Sequence, residues 1–340
     1  MAISQGVGER SWDVDDLRVI RALQLAPRAS FARIGAVLGM NERTVARRYR
    51  ALHREGVLRV FGTVNPVALG QQIWQVRVRC RPDAAESLAA GLSARDDVVW
   101  VGLTAAGSEV TFSLSTVTTE RRDLLLTRTL PRAAHVLDID AAVVLHIFLG
   151  MSPDDWSALG RHLNEEETAE LATPLVNPAR TAERFELEEY DAAILRLLAR
   201  DGRASNAALA QAAGISEGRA ARRVATLIER GVVIIDNDLA TEAFGYGVRA
   251  HLLLRVAPSH IEAVGRTLAE LPEISFVAST SGRNNVMASM TCRELSDLYE
   301  FTTAQVGALD GIQNLEVLPF QRIVKQSGGL LVDGRLVDPA

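Results

Sequence analysis

The sequence predicts an α+β fold built twice along one chain, each time as a winged helix-turn-helix domain followed by a ferredoxin-like βαββαβ domain. Three observations carry this expectation. Between Gly39 and Gly56, a tight glycine turn, a capping Asn41 and a terminal glycine bracket one helix; its Val45, Tyr49 and Leu52 share a face and arginines fill the rest. The pattern returns between Gly214 and Gly231. Asp16 corresponds to Asp191, an offset of 175 residues (191 minus 16), and the same offset aligns Arg28-Ala29-Ser30 with Arg203-Ala204-Ser205 and Arg47-Arg48 with Arg222-Arg223. Self-similarity of this kind marks a repeated structural unit. After each helical block the apolar period shifts from helical to alternating, which predicts strands.

In the first copy the acids Asp13, Asp15 and Asp16 suit a helix N-terminus, and Leu17, Ile20 and Leu23 face inward until Pro27. Ser30 caps a short helix carrying Phe31, Ile34, Val37 and Leu38, and the Gly39 turn then presents the arginine-bearing helix. Val57 to Val64 alternates around Gly62 and reads as a small hairpin or wing, closed by Asn65-Pro66. From Gln71 the order is a strand up to Pro82, a helix through Ala85, Leu88, Ala89 and Leu92, and a strand from Val98 to Thr104. A turn at Gly107-Ser108, a strand through Val110, Phe112 and Leu114, a helix from Glu120 to Leu130 and a long strand from Val136 to Leu149 follow. One antiparallel sheet with both helices on one face leaves its other face apolar and in need of a partner. The second set runs through Val248 to Val256, Ser259 to Leu271, Ile274 to Thr280, Val286 to Thr291, Leu295 to Val306 and Ile312 to Lys325. The expected domains are 13–70, 71–149, 187–245 and 246–326, with a proline-containing connector at 150–186. Residues 1–12 and the glycine-rich tail from Gln326 onward read as loose.

Composition narrows the function. With 340 residues, 48% hydrophobic and 23% charged, the chain reads as a globular protein of several domains. A net charge of -5 excludes a general polyanion coater and leaves room only for local basic faces. Cys80 and Cys292 form no CxxC or CxxH spacing, so the expectation is reduced thiols in the cytoplasm, without disulfide or zinc. No apolar run approaches a membrane span, so no membrane partner is expected. Lys325 is the only lysine; Walker A loops are absent and Schiff-base chemistry would rest on that one residue. His53, His135, His146, His162, His251 and His260 show no metal-ligand spacing, and no catalytic triad is suggested. The reading is a non-enzyme without metal or cofactor.

The arginine-faced helices follow a tight turn, the arrangement in which a second helix enters the major groove of double-stranded DNA. Arg43, Thr44 and Arg47 lie towards the helix N-terminus, where base edges are reached, and Arg48, Arg50 and Arg54 are placed for phosphates. Arg219, Arg222 and Arg223 are their partners in the second copy, where Gly218 and Ala225 replace Arg43 and Arg50; the first helix is therefore expected to dominate affinity. A small-molecule site is expected at the turn between the second and third strands. The candidates are Gly107, Ser108 and Glu109 in the first copy and Ser281, Gly282, Arg283, Asn284 and Asn285 in the second, whose amides and side chains could hold an amino-acid carboxylate or ammonium. An ordinary hairpin turn is the alternative. Trp100 and Phe276 hold matching strand positions and read as core.

Asp191-Ala192-Ala193-Ile194-Leu195-Arg196-Leu197-Leu198, Gly202-Arg203-Ala204-Ser205, Leu209-Ala210, Arg222-Arg223-Val224 and Gly231-Val232 together resemble the leucine-responsive regulatory protein / AsnC (Lrp/AsnC) family of transcription regulators. The resemblance covers nearly the whole chain, twice. It implies a DNA-binding winged helix-turn-helix and an effector (RAM/AsnC) domain that responds to an amino acid and mediates homo-oligomer formation. It places Gly282 on the family's glycine-containing effector loop. Where that loop often ends in Tyr-Asp, this chain has Asn284-Asn285, and Ser108-Glu109 in the first copy. Most members carry one copy, so this chain resembles a covalent dimer, expected to set two reading helices about one helical turn of DNA apart, ~34 Å. Two alternatives follow from the same architecture. One is an enzyme of the siroheme decarboxylase type, whose His-Asn-Tyr-type motif has no His-Asn pair here. The other is a small-molecule sensor that no longer binds DNA.

Overall fold

A computed structural model describes residues 12–115, 118–150, 156–172, 185–327 and 329–337. The first three helices are α1 (Val14–Leu25), α2 (Phe31–Leu38) and α3 (Glu42–Arg54), followed by strand β1 (Leu58–Val64). Local chemistry sets their ends. Asp13 and Asp16 form a capping box, Ser30 accepts from the Arg33 amide, Gly39 turns with φ +66° and Asn41 accepts from the Arg43 amide. Val45, Tyr49 and Leu52 of α3 are buried, as the spacing predicts.

The Val57 to Val64 stretch is not a local hairpin. Its one strand, β1, pairs antiparallel with its counterpart β6 (Val233–Leu239) in the second copy, so the two helix-turn-helix units share a ribbon. Phe61 lies opposite Asp236, its own counterpart at the 175-residue offset (236 minus 61), which puts a local twofold axis through the ribbon. Arg28 and Arg203, another matched pair, reach across reciprocally: Arg28 donates to the Gly202 and Ala204 carbonyls, Arg203 to those of Pro27 and Ala29. Buried charges are retained where hydrogen bonds satisfy them.

The first βαββαβ set is β2 (Ile73–Cys80), α4 (Ala85–Ser93), β3 (Val98–Thr104), β4 (Glu109–Ser115), α5 (Thr119–Asp123), a π-helical turn over Leu124–Thr129 leading into α6 (Leu130–Arg132), and β5 (Val136–Leu149). The connector is less idle than expected. Its α7 (Glu165–Leu171), with Trp156, Leu159, Leu163 and Leu171, joins the helix-turn-helix core; Arg18 pairs with Glu167 at 2.6 Å and Arg33 donates to the Glu170 carbonyl. Residues 151–155 and 173–184 of the expected connector lie outside the described residues.

The second copy follows as α8 (Asp191–Arg200), α9 (Asn206–Ala213), α10 (Glu217–Glu229), β6 (Val233–Leu239), β7 (Val248–Val256), α11 (Ile261–Ala269), β8 (Ile274–Thr280), β9 (Val286–Cys292), α12 (Leu295–Glu300) and β10 (Ile312–Pro319). The final strand expected to run to Lys325 breaks at Phe320-Gln321 and continues as β11 (Arg322–Gln326). The tail is not loose: β12 (Gly329–Val332) and β13 (Arg335–Val337) extend the sheet from β11.

Apart from the β1-β6 ribbon, the described strands form one sheet of order β10-β7-β9-β8-β5-β2-β4-β3-β11-β12-β13. Each copy's last strand serves both halves. The start of β5 pairs with β2 and its end with β8, while β10 pairs with β7 and β11 with β3. The halves face one another, and the facing surface is polar at its centre where an apolar face was expected: Arg77 of β2 binds Glu109 of β4 and Glu316 of β10.

Candidate nucleic-acid interface and ligand seam

The exposed face of α3 carries Arg43, Arg47, Arg50 and Arg54, with Thr44 half-buried among them. The first three have no ion-pair partner among the described residues, and Arg54 has only a 3.9 Å approach to Glu55. Their guanidinium groups are available to an outside anion.

Arg48 is different, and the structure removes it from the phosphate-contacting set. Its side chain is 16% exposed and binds Asp13, Asp15 and Asp16 at 2.9, 3.1 and 2.7 Å. Partial burial pulls its pKa down, but the hydrogen bonds it donates to Asp16 and Asp13 outweigh this and raise it. Arg223 repeats the arrangement with Glu188 and with Asp191, which is fully buried. The two arginines tie each reading helix to the first helix of its own unit. The acids read from sequence as helix-dipole partners are also the other half of these clamps.

On α10 the counterparts of Arg43, Thr44, Arg47, Arg50 and Arg54 are Gly218, Arg219, Arg222, Ala225 and Glu229. Arg222 is exposed and unpaired among the described residues. Arg219 pairs with Glu188 at 3.3 Å and lies 4.7 Å over the Tyr190 ring. The second face thus offers less free positive charge than the first.

The two candidate ligand loops are not equivalent. Ser281, Gly282, Arg283 and Asn284 line a cavity between the facing sheets, together with Gln75, Arg77, Thr111 and Asp140 of the first copy and His251 of the second. Gly282 has φ +93°, which a side chain would resist. Ser281 fixes the loop to β5, donating its amide to the Val143 carbonyl and accepting from the Val143 amide. Asn285 lies outside the lining; its amide bonds both backbone groups of Val256.

Gly107, Ser108 and Glu109 do not line this cavity. Glu109 is buried and spent on Arg77, with Thr104 donating to it as well, and Ser108 closes its own turn onto Ala105. Phe320 packs against Gly102 of β3, its ring meeting Trp100 at 4.8 Å and His251 at 4.6 Å. Trp100 is thus packed, as its strand position suggested.

His251 escaped the sequence reading because nothing in its spacing marks it. Burial, reinforced by Arg249 and Arg77, pushes its pKa down to about 3, so the ring is neutral. Arg28 and Arg203 were visible only as alignment markers. Among the described residues no group of His, Cys, Asp or Glu is arranged to hold a metal, and no helix is long and apolar enough to cross a membrane.

The chain thus sets a pair of ribbon-linked helix-turn-helix units beside a two-copy sheet domain. Residues 13–53 match the AsnC-type helix-turn-helix domain, 187–234 a winged helix-turn-helix DNA-binding domain, and 255–330 the PF0864 C-terminal dimeric alpha+beta barrel domain. The HTH-type transcriptional regulator PYRAB01370 of Pyrococcus abyssi is 31% identical over 134 residues, which is 39% of this chain and 85% of that one. The regulator FL11 of Pyrococcus horikoshii is 28% identical over 140 residues, covering 40% and 89%. The chain belongs to the Lrp/AsnC family, and such relatives match one copy at a time. Over 92% of its length it has the fold of the siroheme decarboxylase NirDL, with a TM-score of 0.59, 15% identity and 92% of that chain covered.

Proposed function

We propose that this protein is a sequence-specific DNA-binding transcription regulator in which α3 supplies most of the affinity, α10 assists, and an amino acid or related metabolite binds at the sheet seam. The observation that carries this reading is the exposed set Arg43, Arg47 and Arg50, unpaired among the described residues, on a helix clamped in place by Arg48. A helix held rigidly by one arginine while its neighbours stay free is suited to phosphate and base-edge contact. Further copies of the chain would assemble through the effector domains.

The test is binding to genomic operator fragments. Arg47→Ala should weaken binding by about 10-fold or more, as losing one specific contact does. Arg222→Ala should cost measurably less at matched salt, and equal losses would overturn the ranking of the helices. Affinity should fall with salt by about 0.9 log units per log unit for each phosphate neutralised. A flat salt response would remove the DNA reading.

A second reading rests on the fold shared with NirDL across 92% of both chains. A spectrophotometric titration with an iron tetrapyrrole decides it, and an unchanged spectrum discards it.

A further inference from the structure

The two reading helices are placed alike and equipped differently. The β1-β6 ribbon pairs residues across a local twofold, and Arg28 and Arg203 reach over it reciprocally. Arg48 and Arg223 then clamp α3 and α10 to the first helix of their own units. A duplex that meets both helices therefore meets two faces in matching positions.

Those faces carry different chemistry. On α3 four exposed arginines, Arg43, Arg47, Arg50 and Arg54, stand against the exposed Glu42. On α10 the exposed charges are Arg219 and Arg222 against Glu217 and Glu229, which cancel. The losses fall where a reading helix meets DNA. Gly218, in the place of Arg43, has no side chain to reach a base edge, and Ala225 replaces Arg50. Glu229, in the place of Arg54, repels phosphate. Arg219 is engaged by Glu188 at 3.3 Å and lies over the Tyr190 ring. Of the four exposed arginines of α3, only Arg47 has an exposed arginine, Arg222, at the matching position of α10.

A dimer of identical chains presents one face twice and reads an inverted repeat. An arginine forked onto a guanine edge specifies that base, a glycine specifies nothing, and an alanine at most touches a thymine methyl. We propose that the operator of this chain is polar. One half-site, with guanines opposite Arg43 and Arg47, is specified under α3; about one helical turn away, the half-site under α10 is read by Arg222 alone. The chain then sits on duplex DNA in a single orientation, which a symmetric dimer cannot do. This rests on the regulator reading and adds the form of the operator, with Gly218 and Ala225 as the positions that strip α10 of specificity.

The experiment is selection by the full chain from duplexes with a randomised core of about 25 base pairs, room for two half-sites one turn apart. One strongly specified half beside a nearly random one is expected. A duplex in which the weak half is doubled should bind about 100-fold or more below the selected operator, since two guanine contacts are lost at about 10-fold each. Arming α10 tests the residues. A Cβ at position 218 would meet only the Arg222 Nη1, at 3.6 Å, an ordinary contact. The double substitution Gly218→Arg/Ala225→Arg should therefore keep the thermal midpoint level or raise it, glycine being the poorer helix former. It should turn the selected motif into an inverted repeat and tighten binding to a doubled strong half by about 10-fold or more over the unmodified chain.

An inverted repeat selected by the unmodified chain, a doubled weak half bound as tightly as the selected operator, or a motif unchanged by the double substitution overturns the proposal. The failures are separable. If no sequence is enriched and duplex binding ignores salt, the regulator reading itself falls; an inverted repeat removes the polarity and leaves that reading standing.

Discussion

The two halves of this molecule share a skeleton and differ in the side chains that surround it. Both reading helices are clamped the same way, through Arg48 and Asp16 or Arg223 and Asp191. Both units cross the ribbon with a reciprocal arginine. The exposed faces, the ligand seam and the ribbon ends, by contrast, have diverged. A symmetric dimer of separate chains must keep both sites identical because one sequence makes both. Joined copies are free to specialise, and among the described residues this chain places most of the free arginines of its reading helices in its first half and the cavity-lining loop in its second. Positions that keep the twofold geometry in place are held in common, and positions that face a partner are where the copies part.

The largest expected effect breaks the comparison at the ribbon. Register pairs Arg59 with Asp238, and at the other end pairs their counterparts, Ile234 with Thr63. The ion pair is almost fully buried at 2.9 Å, and Gln326, itself bonded to Arg249, donates to the same carboxylate. Burial pushes the Asp238 pKa up, while Arg59 and Gln326 oppose this. Asp238→Ala leaves Arg59 buried without its partner and should cost about 3–5 kcal/mol in chemical denaturation. Thr63→Ala at the matching position should cost far less. Similar losses at both would mean that the ribbon is energetically symmetric.

A smaller effect separates Gln75 from His251, which lie opposite matching serines, Ser113 and Ser289. Only the histidine titrates. Its folded pKa of about 3 lies below the unfolded value near 6.5, so the unfolded chain binds the proton first. The stability of the neutral ring is therefore fully present above pH 6.5 and is lost as pH falls towards 3. At pH 5 the loss should be about 2 kcal/mol relative to pH 7.5. His251→Phe should remove that part of the pH dependence, and identical profiles for the two proteins would show that the ring is not held neutral.

Much of the architecture was legible because capping and periodicity are local. Asn41, Gly39 and Ser30 fix helix ends within a few residues, and the offset carried the reading into the second copy. What local pattern could not supply was partnership at long range. Val57 to Val64 has strand periodicity whether it folds back on itself or pairs with Val233 to Leu239, and only the three-dimensional structure distinguishes these. Arg48 and Arg47 are chemically identical neighbours, yet one faces Asp13, Asp15 and Asp16 and the other solvent. Seven helix positions separate Arg47 from Arg54, about two turns, so both share the outer face; Arg48 lies about 100° round towards α1. The candidate loops look alike in sequence, but Glu109 is captured by Arg77, contributed from β2.

The smallest expected effect concerns the tail, which sequence composition assigned to a loose end. At the close of α10 the Gly231 carbonyl accepts from the side-chain amide of Asn65. The counterpart of Asn65 is Ala240, which has no such donor, yet the Gly56 carbonyl closing α3 is not left bare: the Leu336 amide supplies the hydrogen bond, and Arg335 donates to the Glu55 carbonyl beside it. The tail thus restores by a backbone group what the duplication lost in a side chain. Gly56, at φ +64°, could not carry a side chain there, since a Cβ would lie 2.7 Å from the Leu336 oxygen. Ending the chain at Ser327 should therefore cost about 1–2 kcal/mol, the scale of one orphaned buried backbone group. Amide exchange should accelerate across Glu55–Leu58 and remain unchanged across Arg230–Val233. Because β11 and Gln326 survive the truncation, the ribbon should stay intact, so acceleration at both helix ends would point to general loosening and would sink the idea that the tail serves the first reading helix alone.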